Sequence, residues 1–435
     1  MVKTIHNIQT GKKREKALLV GVVLRGARRE QVEESLDELA LLADTAGAVV
    51  VDTVLQDRSA INPATLIGTG KVHEVARKAL DGAVDVVLFD EDLSPVQIKN
   101  LEREIKKKVI DRSGLILDIF AGRARTHEAQ IQVELAQLKY LYPRLTRQWM
   151  HLSRQEGGIG MRGPGETQLE VDRRMIRKKI KKLEEDLKRI EQQRRVRRKN
   201  REGLIKISLV GYTNAGKSSL MNVLADADAF VEDRLFATLD ATIRAFRVDE
   251  HRKTLLIDTV GFIRKLPPHL IASFRSTLEE TVESDMLLHV IDVSHPCFHE
   301  HIGAVQDVLR ELGAESKPCI TVFNKIDRLT DRVLFAELKR RFAPAVFTSA
   351  MRGIGTETLK REIVRRLDAF VEETIFHIPH RHARLVALLY DRAHVLDKRI
   401  EDEAVVLTVR GEARILKRFQ RMLEDGDGRA HSDRG

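Results

Sequence analysis

Gly211-Tyr212-Thr213-Asn214-Ala215-Gly216-Lys217-Ser218 follows directly on Ile205-Lys206-Ile207-Ser208-Leu209-Val210, an alternating run of strand character. Behind it, Leu220, Met221 and Leu224 lie on one face of a predicted helix. Strand, glycine-bearing loop and helix in that order are the setting of the phosphate-binding pattern GxxxxGK[ST]. The glycines let backbone N–H groups face phosphate oxygens, and the helix turns its positive dipole end towards the anion. Lys217 supplies a point charge to the outer phosphates, and Ser218 offers a hydroxyl to Mg²⁺. The pattern predicts an α/β fold around this loop.

Further signals follow in sequence. Leu255-Leu256-Ile257 reads as a buried strand ending in Asp258-Thr259-Val260-Gly261. A carboxylate at a strand end can serve Mg²⁺ through water, and a glycine N–H can approach a γ-phosphate without a side-chain clash. Ile320-Thr321-Val322-Phe323 then leads into Asn324-Lys325-Ile326-Asp327. An aspartate carboxylate only accepts hydrogen bonds. Guanine offers it two donors, whereas adenine would leave it unpaired, so Asp327 reads as a guanine selector. Asn324 is expected to brace the loop and Lys325 to lie along the base. Ala345-Val346-Phe347 leads to Thr348-Ser349-Ala350, whose N–H groups are expected to meet guanine O6. Phe236-Ala237-Thr238-Leu239-Asp240 lies between the first two signals, where a switch loop needs a threonine for Mg²⁺. Spacing leaves Thr238 and Thr242 both open. The position after Gly261, where some enzymes of this class carry a water-orienting glutamine, holds Phe262. A phenyl ring does neither job, so intrinsic hydrolysis of GTP is expected to be slow and to need a partner or another residue.

The chain of 435 residues is long enough for two or three domains, and its 43% hydrophobic content excludes general disorder. No apolar run reaches membrane-span length. A basic stretch over residues 3–16 precedes the short apolar run 17–24, without a cleavage-type segment after it. Cys297 and Cys319 make no disulfide framework and suit a reducing cytosol. The expected location is therefore cytoplasmic, with partial membrane association left open. Residues 173–201 hold 15 Lys/Arg against 4 Asp/Glu, a local +11 in a chain whose net charge is +10. Within them Ile176, Ile180, Leu183, Leu187 and Ile190 step by 4, 3, 4, 3, the rhythm of a helix apolar on one face. Ile131, Leu135, Leu138, Tyr142 and Leu145 repeat that rhythm, with Pro143 set to interrupt it. Together they predict an antiparallel helical hairpin whose tip, residues 156–166, carries Gly157, Gly158, Gly160, Gly163 and Gly165. Such a lopsided charge favours nucleic acid over solvent as the partner. RNA fits better than DNA, since duplex RNA is contacted through shape and backbone.

Residues 17–23, 48–54, 84–89 and 108–110 read as strands, with helices over 30–43, 72–80 and 95–106, giving an α/β N-terminal region. Gly68-Thr69-Gly70-Lys71 offers a weak second phosphate pattern, or a tight turn that needs glycine. His295, Cys297, His299 and His301 are dense enough to hold zinc or nickel, but the spacing is not a finger pattern. Beyond Phe370, residues 374–377, 383–390 and 404–409 read as strands and 412–423 as helix, a small α+β unit; 424–435 read as a disordered tail. The resulting division is 1–125, an α/β domain; 126–203, the basic hairpin; 204–370, the nucleotide domain; and 371–435, the α+β unit.

The assembled pattern resembles the HflX family of P-loop GTPases over most of the chain. The residues that carry the likeness are Gly157-Gly158-Ile159-Gly160, then Arg162-Gly163-Pro164-Gly165-Glu166-Thr167-Gln168-Leu169-Glu170. The loop at 211–218, Phe236-Ala237-Thr238-Leu239-Asp240, Asp258-Thr259-Val260-Gly261-Phe262-Ile263 and Leu93-Ser94-Pro95 join them. The resemblance implies a GTP hydrolase that binds the large ribosomal subunit and its RNA, with some members splitting stalled ribosomes under stress. It places the glycine-rich tip near the peptidyl-transferase region and links the N-terminal domain of some members to ATP. By matching positions it makes Ser218 and Thr238 the Mg²⁺ ligands, favouring Thr238 over Thr242. Ala241 stands where the family's switch loop often has proline, and Met161 where its tip often has threonine. Nothing in the chain demands a dimer, so a monomer is expected. The alternative reading is a regulatory GTPase with a protein or acidic-membrane partner.

Overall fold

The computed structural model describes residues 14–145, 168–199, 204–225, 235–236, 238, 241–247, 253–265, 275–329 and 332–432. The expected glycine-rich tip, Met161, Ala237, Leu239 and Asp240 lie outside the described residues. The chain divides into two compact units. The first comprises Met1–Gln193, Glu232–Asp240 and Arg264–Thr277; the second comprises Arg194–Val231, Ala241–Ile263 and Leu278–Gly435.

In the first unit, β1 (Lys16–Leu24), β2 (Val49–Arg58), β3 (Val86–Phe89) and β4 (Lys108–Asp111) form a sheet in the order β2-β1-β3-β4. All pairings are parallel. Helices α1 (Arg29–Thr45), α2 (Thr69–Asp81) and α3 (Pro95–Ile105) make the crossovers. Leu93-Ser94-Pro95 is a helix start: Ser94 accepts from the Gln97 N–H while the Gln97 side chain returns to the Ser94 N–H. One helix escapes the sequence pattern. α4 (Arg112–Arg123) buries Leu115, Ile116, Leu117, Ile119 and Phe120, so it shows no apolar stripe.

α5 (His127–Leu141) ends in a short 3-10 turn, Tyr142–Arg144, at the expected proline. α6 (Gln168–Lys199) runs back along it. Ile131, Leu135 and Leu183 bury one seam, with Leu138, Ile180, Leu187 and Ile190 against it. Lys139 pairs with Glu184 at 2.8 Å, and Lys179 with Glu134, flanking the seam.

In the second unit, β5 (Lys206–Gly211), β6 (Thr242–Arg247), β7 (Lys253–Asp258), β8 (Met286–Asp292), β9 (Cys319–Asn324) and β10 (Ala345–Phe347) form a sheet in the order β10-β9-β8-β5-β7-β6. Only the edge pair β6–β7 is antiparallel. The chain leaves β5 to build one side, then returns to β8 to build the other. That reversal opens a crevice at the carboxyl ends of the strands, the binding position of open α/β sheets. α7 (Lys217–Leu224), α8 (Arg275–Glu283), α9 (Phe298–Glu311), α10 (Arg332–Arg341) and α11 (Thr356–Leu367) connect the strands, with α8 divided between the two units. Ile207, Leu209, Leu220, Leu256, Leu288, Val290 and Val322 form the core beneath.

The C-terminal region departs from the reading in three places. Residues 383–390 are helix, not strand, within α12 (Ala383–Arg392). Leu385 and Leu389, one helical turn apart, are buried while Leu388 and Tyr390 are exposed. Alanine, leucine and arginine dominate that run and favour helix. The middle strand in sequence is instead β12 (His394–Ile400), an exposed edge whose charged residues hid any alternation. It pairs with β13 (Ala404–Glu412), which also pairs with β11 (Val371–Pro379), giving the order β11-β13-β12. The tail is not irregular through its length: α13 (Ala413–Ser432) continues through most of it.

Leu183 is one of three buried residues in that seam among the described residues. Leu183→Ala is expected to cost about 2 kcal/mol and raise local hydrogen exchange in α5 roughly thirtyfold, read by mass spectrometry.

Candidate functional site

β5 delivers the loop 211–218 to the crevice. Gly216 has φ +89° and caps α7, a conformation open to glycine. Ala215 is fully buried and packs into the core, which anchors the loop from beneath. Tyr212 stacks on His301, ring centroids 3.7 Å apart and nearly coplanar. Lys217 is buried, and its Nζ donates to the carbonyls of Gly211 at 3.1 Å and Tyr212 at 3.0 Å. Burial pushes its ammonium down to about 8, against the pull of Asp258. Ser218 Oγ donates to Asp258 Oδ2 at 2.5 Å, joining the start of α7 to the end of β7.

Asp258 opens the second expected segment. Thr259 Oγ1 is engaged by the Leu209 carbonyl at 2.6 Å, and Val260 is buried, so both serve the fold. Gly261 lies against the phosphate-type loop: a Cβ there would stand 2.6 Å from Thr213 Cα. Phe262 is buried and bridges the loop through its backbone. The Thr213 N–H donates to its carbonyl at 2.7 Å, and its own N–H donates to the Gly211 carbonyl at 3.1 Å. A ring so placed cannot orient a water.

The third segment starts as β9 ends. Asn324 Nδ2 donates to the Ala215 carbonyl at 2.9 Å, and its Oδ1 accepts from the Ala350 N–H at 3.0 Å and Thr348 Oγ1 at 3.3 Å. One side chain thus links its own segment to the loops at 211–218 and 348–350. Lys325 takes φ +63°, and its Nζ meets Asp292 Oδ2 at 2.8 Å. Ile326 begins a 3-10 turn and packs into an adjoining apolar cluster. Asp327 accepts from Ser349 Oγ at 2.5 Å. That bond, with Arg352 and Arg328 nearby, holds its carboxyl below the usual range. The Thr348 and Ser349 N–H groups are taken by the Phe323 and Ile354 carbonyls, both near 2.9 Å. With Ala350 bonded to Asn324, all three expected donors to a base oxygen are engaged internally in this structure.

Phe236 and Thr238 belong to the first unit, where Phe236 packs edge-on against Phe120, centroids 4.7 Å apart. Thr242 starts β6 and is exposed. The histidine cluster converges only in part, with the His295 and His301 rings 4.4 Å apart. The Cys297 N–H donates to His295 Nδ1 at 3.1 Å, His299 packs on Phe298, and His301 serves Tyr212. Among the described residues no three such groups gather to hold a metal. Gly68 has φ −71°, an ordinary extended backbone, so no tight turn demands glycine there; Lys71 is paired with Glu74 at 2.7 Å.

The sequence reading missed Asp292, His289 and the His301 stack. His289 lies inside β8, where burial and then Lys217 push its imidazole down to about 4. A lone histidine in the apolar run Met286-Leu287-Leu288-His289-Val290-Ile291 was the available signal.

Three family models match in chain order. They describe a GTP-binding GTPase N-terminal region over residues 33–121, a GTP-binding GTPase middle region over 123–201, and a 50S ribosome-binding GTPase over 206–325. The GTPase HflX of Magnetococcus marinus is 42% identical over 421 residues, 96% of this chain and 97% of that protein. The chain belongs to the HflX family. The HflX of Escherichia coli is 43% identical, covering 90% of this chain and 92% of its own length. That of Flavobacterium psychrophilum is 50% identical over 72% of this chain and 76% of its own. No described helix of this HflX-family chain is long and apolar enough to cross a membrane.

The buried Lys217 gives a pH test. Its folded pKa is depressed, so folding disfavours its proton, and the penalty is fully present below about 8. Lys217→Met is expected to stabilise the nucleotide-free chain below that pH. The gain should fade as pH rises towards the ordinary lysine value, read from urea midpoints of both proteins across the pH series.

Proposed function

We propose that this HflX-family GTPase is a guanine-nucleotide switch that docks on the large ribosomal subunit and, in one nucleotide state, separates or rescues stalled ribosomes. As a member of that family the chain is a GTP hydrolase. The observation that carries the switch reading is Asn324, whose side chain ties the base-reading loop to the phosphate loop at Ala215.

In this reading N–H groups of the loop 211–218, other than those of Thr213 and Ala215 that bond to the Phe262 and Tyr212 carbonyls, cradle the phosphates and Lys217 neutralises the outer ones. The oxygen pair of Ser218 and Asp258 is a hard donor set suited to Mg²⁺. Ser218 and Thr238 would ligate the ion directly, with Asp258 acting through water. When bound there, Mg²⁺ supplies positive charge to the β- and γ-phosphate oxygens. Gly261 would offer its N–H to the γ-phosphate, and Asp327 would read guanine beside Lys325. Residues 258–261, 324–327 and 348–350 frame the site. Phe262 makes the isolated enzyme slow and leaves stimulation to the partner.

The partner reading rests on α6. Residues 173–201 carry a net +11, and the side chains described there outside the seam are mostly exposed. The description of the model matching 206–325 names a 50S ribosome. Ribosomal RNA would meet the hairpin, residues 126–203, between the domains at 1–125 and 204–370, with 371–435 as a further small domain.

Lys217→Ala is expected to abolish nucleotide binding. Inosine triphosphate, which lacks the 2-amino donor, should bind roughly tenfold or more weakly than GTP. Purified large subunits should co-sediment the chain with a non-hydrolysable GTP analogue more than with GDP. Deleting residues 157–165 should spare GTP binding and impair ribosome splitting. Retention on anionic vesicles without any ribosome binding would instead support the regulatory alternative.

A further inference from the structure

Lys325 stands in a left-handed backbone conformation, at φ +63°. That conformation is costly for a residue with a Cβ, and glycine would take it freely. The lysine ammonium is also largely out of water. Its Nζ meets Asp292 Oδ2 at 2.8 Å, with the Lys325 and Asp292 side chains only 15% and 16% exposed. Burying an ion pair to that depth repays little in stability. Two local costs thus meet at one residue, and such strain gathers at functional sites.

Both ends of this lysine are fixed. Asp292 and Asn324 are register partners where β8 and β9 end, and the Val293 N–H donates to the Asn324 carbonyl at 3.1 Å. The Arg328 N–H donates to the Lys325 carbonyl at 3.0 Å, and the Ile326 N–H to the Thr348 carbonyl at 3.2 Å, so the backbone is held on either side. At the far end Asp292 is itself aimed. Its Oδ1 accepts from the Ser294 N–H at 3.0 Å and from Ser294 Oγ at 2.5 Å, while Oδ2 faces the ammonium. Pinning a lysine at backbone and ammonium removes most of the torsional freedom of the methylene stem between them. The pair therefore holds an apolar edge in place as well as a charge. All these residues lie in the second unit.

We infer that Asp292 is a positioning residue for guanine nucleotides: it anchors the Lys325 ammonium so that the methylene stem stands as a fixed apolar wall for the base. This rests on the reading of Asn324 to Asp327 as the base-binding segment. GTP and GDP carry the same base, so Asp292 acts on both alike and leaves the chemistry at the phosphates alone. Asp327 selects the base, and Asp292 only readies the surface beside it.

The test uses the full chain with Mg²⁺. Asp292→Asn is expected to raise the Kd for GDP and for a non-hydrolysable GTP analogue by the same factor, about tenfold. KM for GTP should rise with them while kcat stays within about twofold, the sign of lost uniform binding. The preference for GTP over inosine triphosphate should persist. Lys325→Met keeps the length of the stem without its ammonium, so adding Asp292→Asn to it should weaken binding no further. Wild-type affinity in Asp292→Asn would overturn the inference. So would a fall in kcat at unchanged KM, a lost preference for GTP over inosine triphosphate, or losses that multiply in the double variant. Thermal melting accompanies Asp292→Asn. If that variant unfolds, Ser294→Ala decides, since it loosens the carboxylate without removing its charge. It should weaken GDP and GTP alike by about threefold, and wild-type affinity there would count equally against the inference. Failure of the wild-type chain to bind either nucleotide would sink the site reading itself, whatever the variants did.

Discussion

A lysine ammonium held out of water is the constraint around which the second unit is organised. Lys217 hydrogen-bonds to two backbone carbonyls, and the loop that supplies them must be fixed for that to succeed. The fixing is shared. Ala215 is sunk in the core, Tyr212 is stacked on His301, and Asn324 reaches across from β9. Even β8 is affected, since its buried His289 is driven neutral partly by the same ammonium. In the proposed site a phosphate would meet a cation already stripped of solvent, where charge attraction is strongest.

Each of the loops at the sheet's carboxyl edge is similarly held by a neighbour instead of by itself. Asp258 is met by Ser218, Asp327 by Ser349, and Lys325 by Asp292. The consequence is preorganisation: the side chains of the proposed site are held in place by the fold, and their ordering entropy is spent in folding. The Thr348 to Ala350 amides are themselves engaged, by the Phe323 and Ile354 carbonyls and the Asn324 side chain.

Much of this was legible in the sequence because phosphate loops constrain local residues strongly. The run from Gly211 to Ser218 could not serve without its glycines and lysine, and Asn324 could not link its segment to two other loops as a hydrophobe. What stayed hidden depends on tertiary context. Asp292 is an ordinary strand-end acid until Lys325 is folded against it. α4 lost its stripe by being buried on most sides, and β12 lost its alternation by being an exposed edge. The run at 383–390 was misread because apolar continuity does not distinguish a short strand from an amphipathic helix; the four-residue spacing of Leu385 and Leu389 was the deciding cue.

The first unit is discontinuous, and that bears on how the chain is made. Its sheet and hairpin are complete by Gln193, yet segments from Glu232 and from Arg264 belong to it as well. Domains fold from the amino end during synthesis. Asp90 therefore waits, with Arg112 alone for a cation, until well over a hundred further residues have been added and Lys265 emerges. Phe120 waits for Phe236 in the same way. The N-terminal unit is therefore completed only after three of the six strands of the neighbouring sheet, β5, β6 and β7, have been translated.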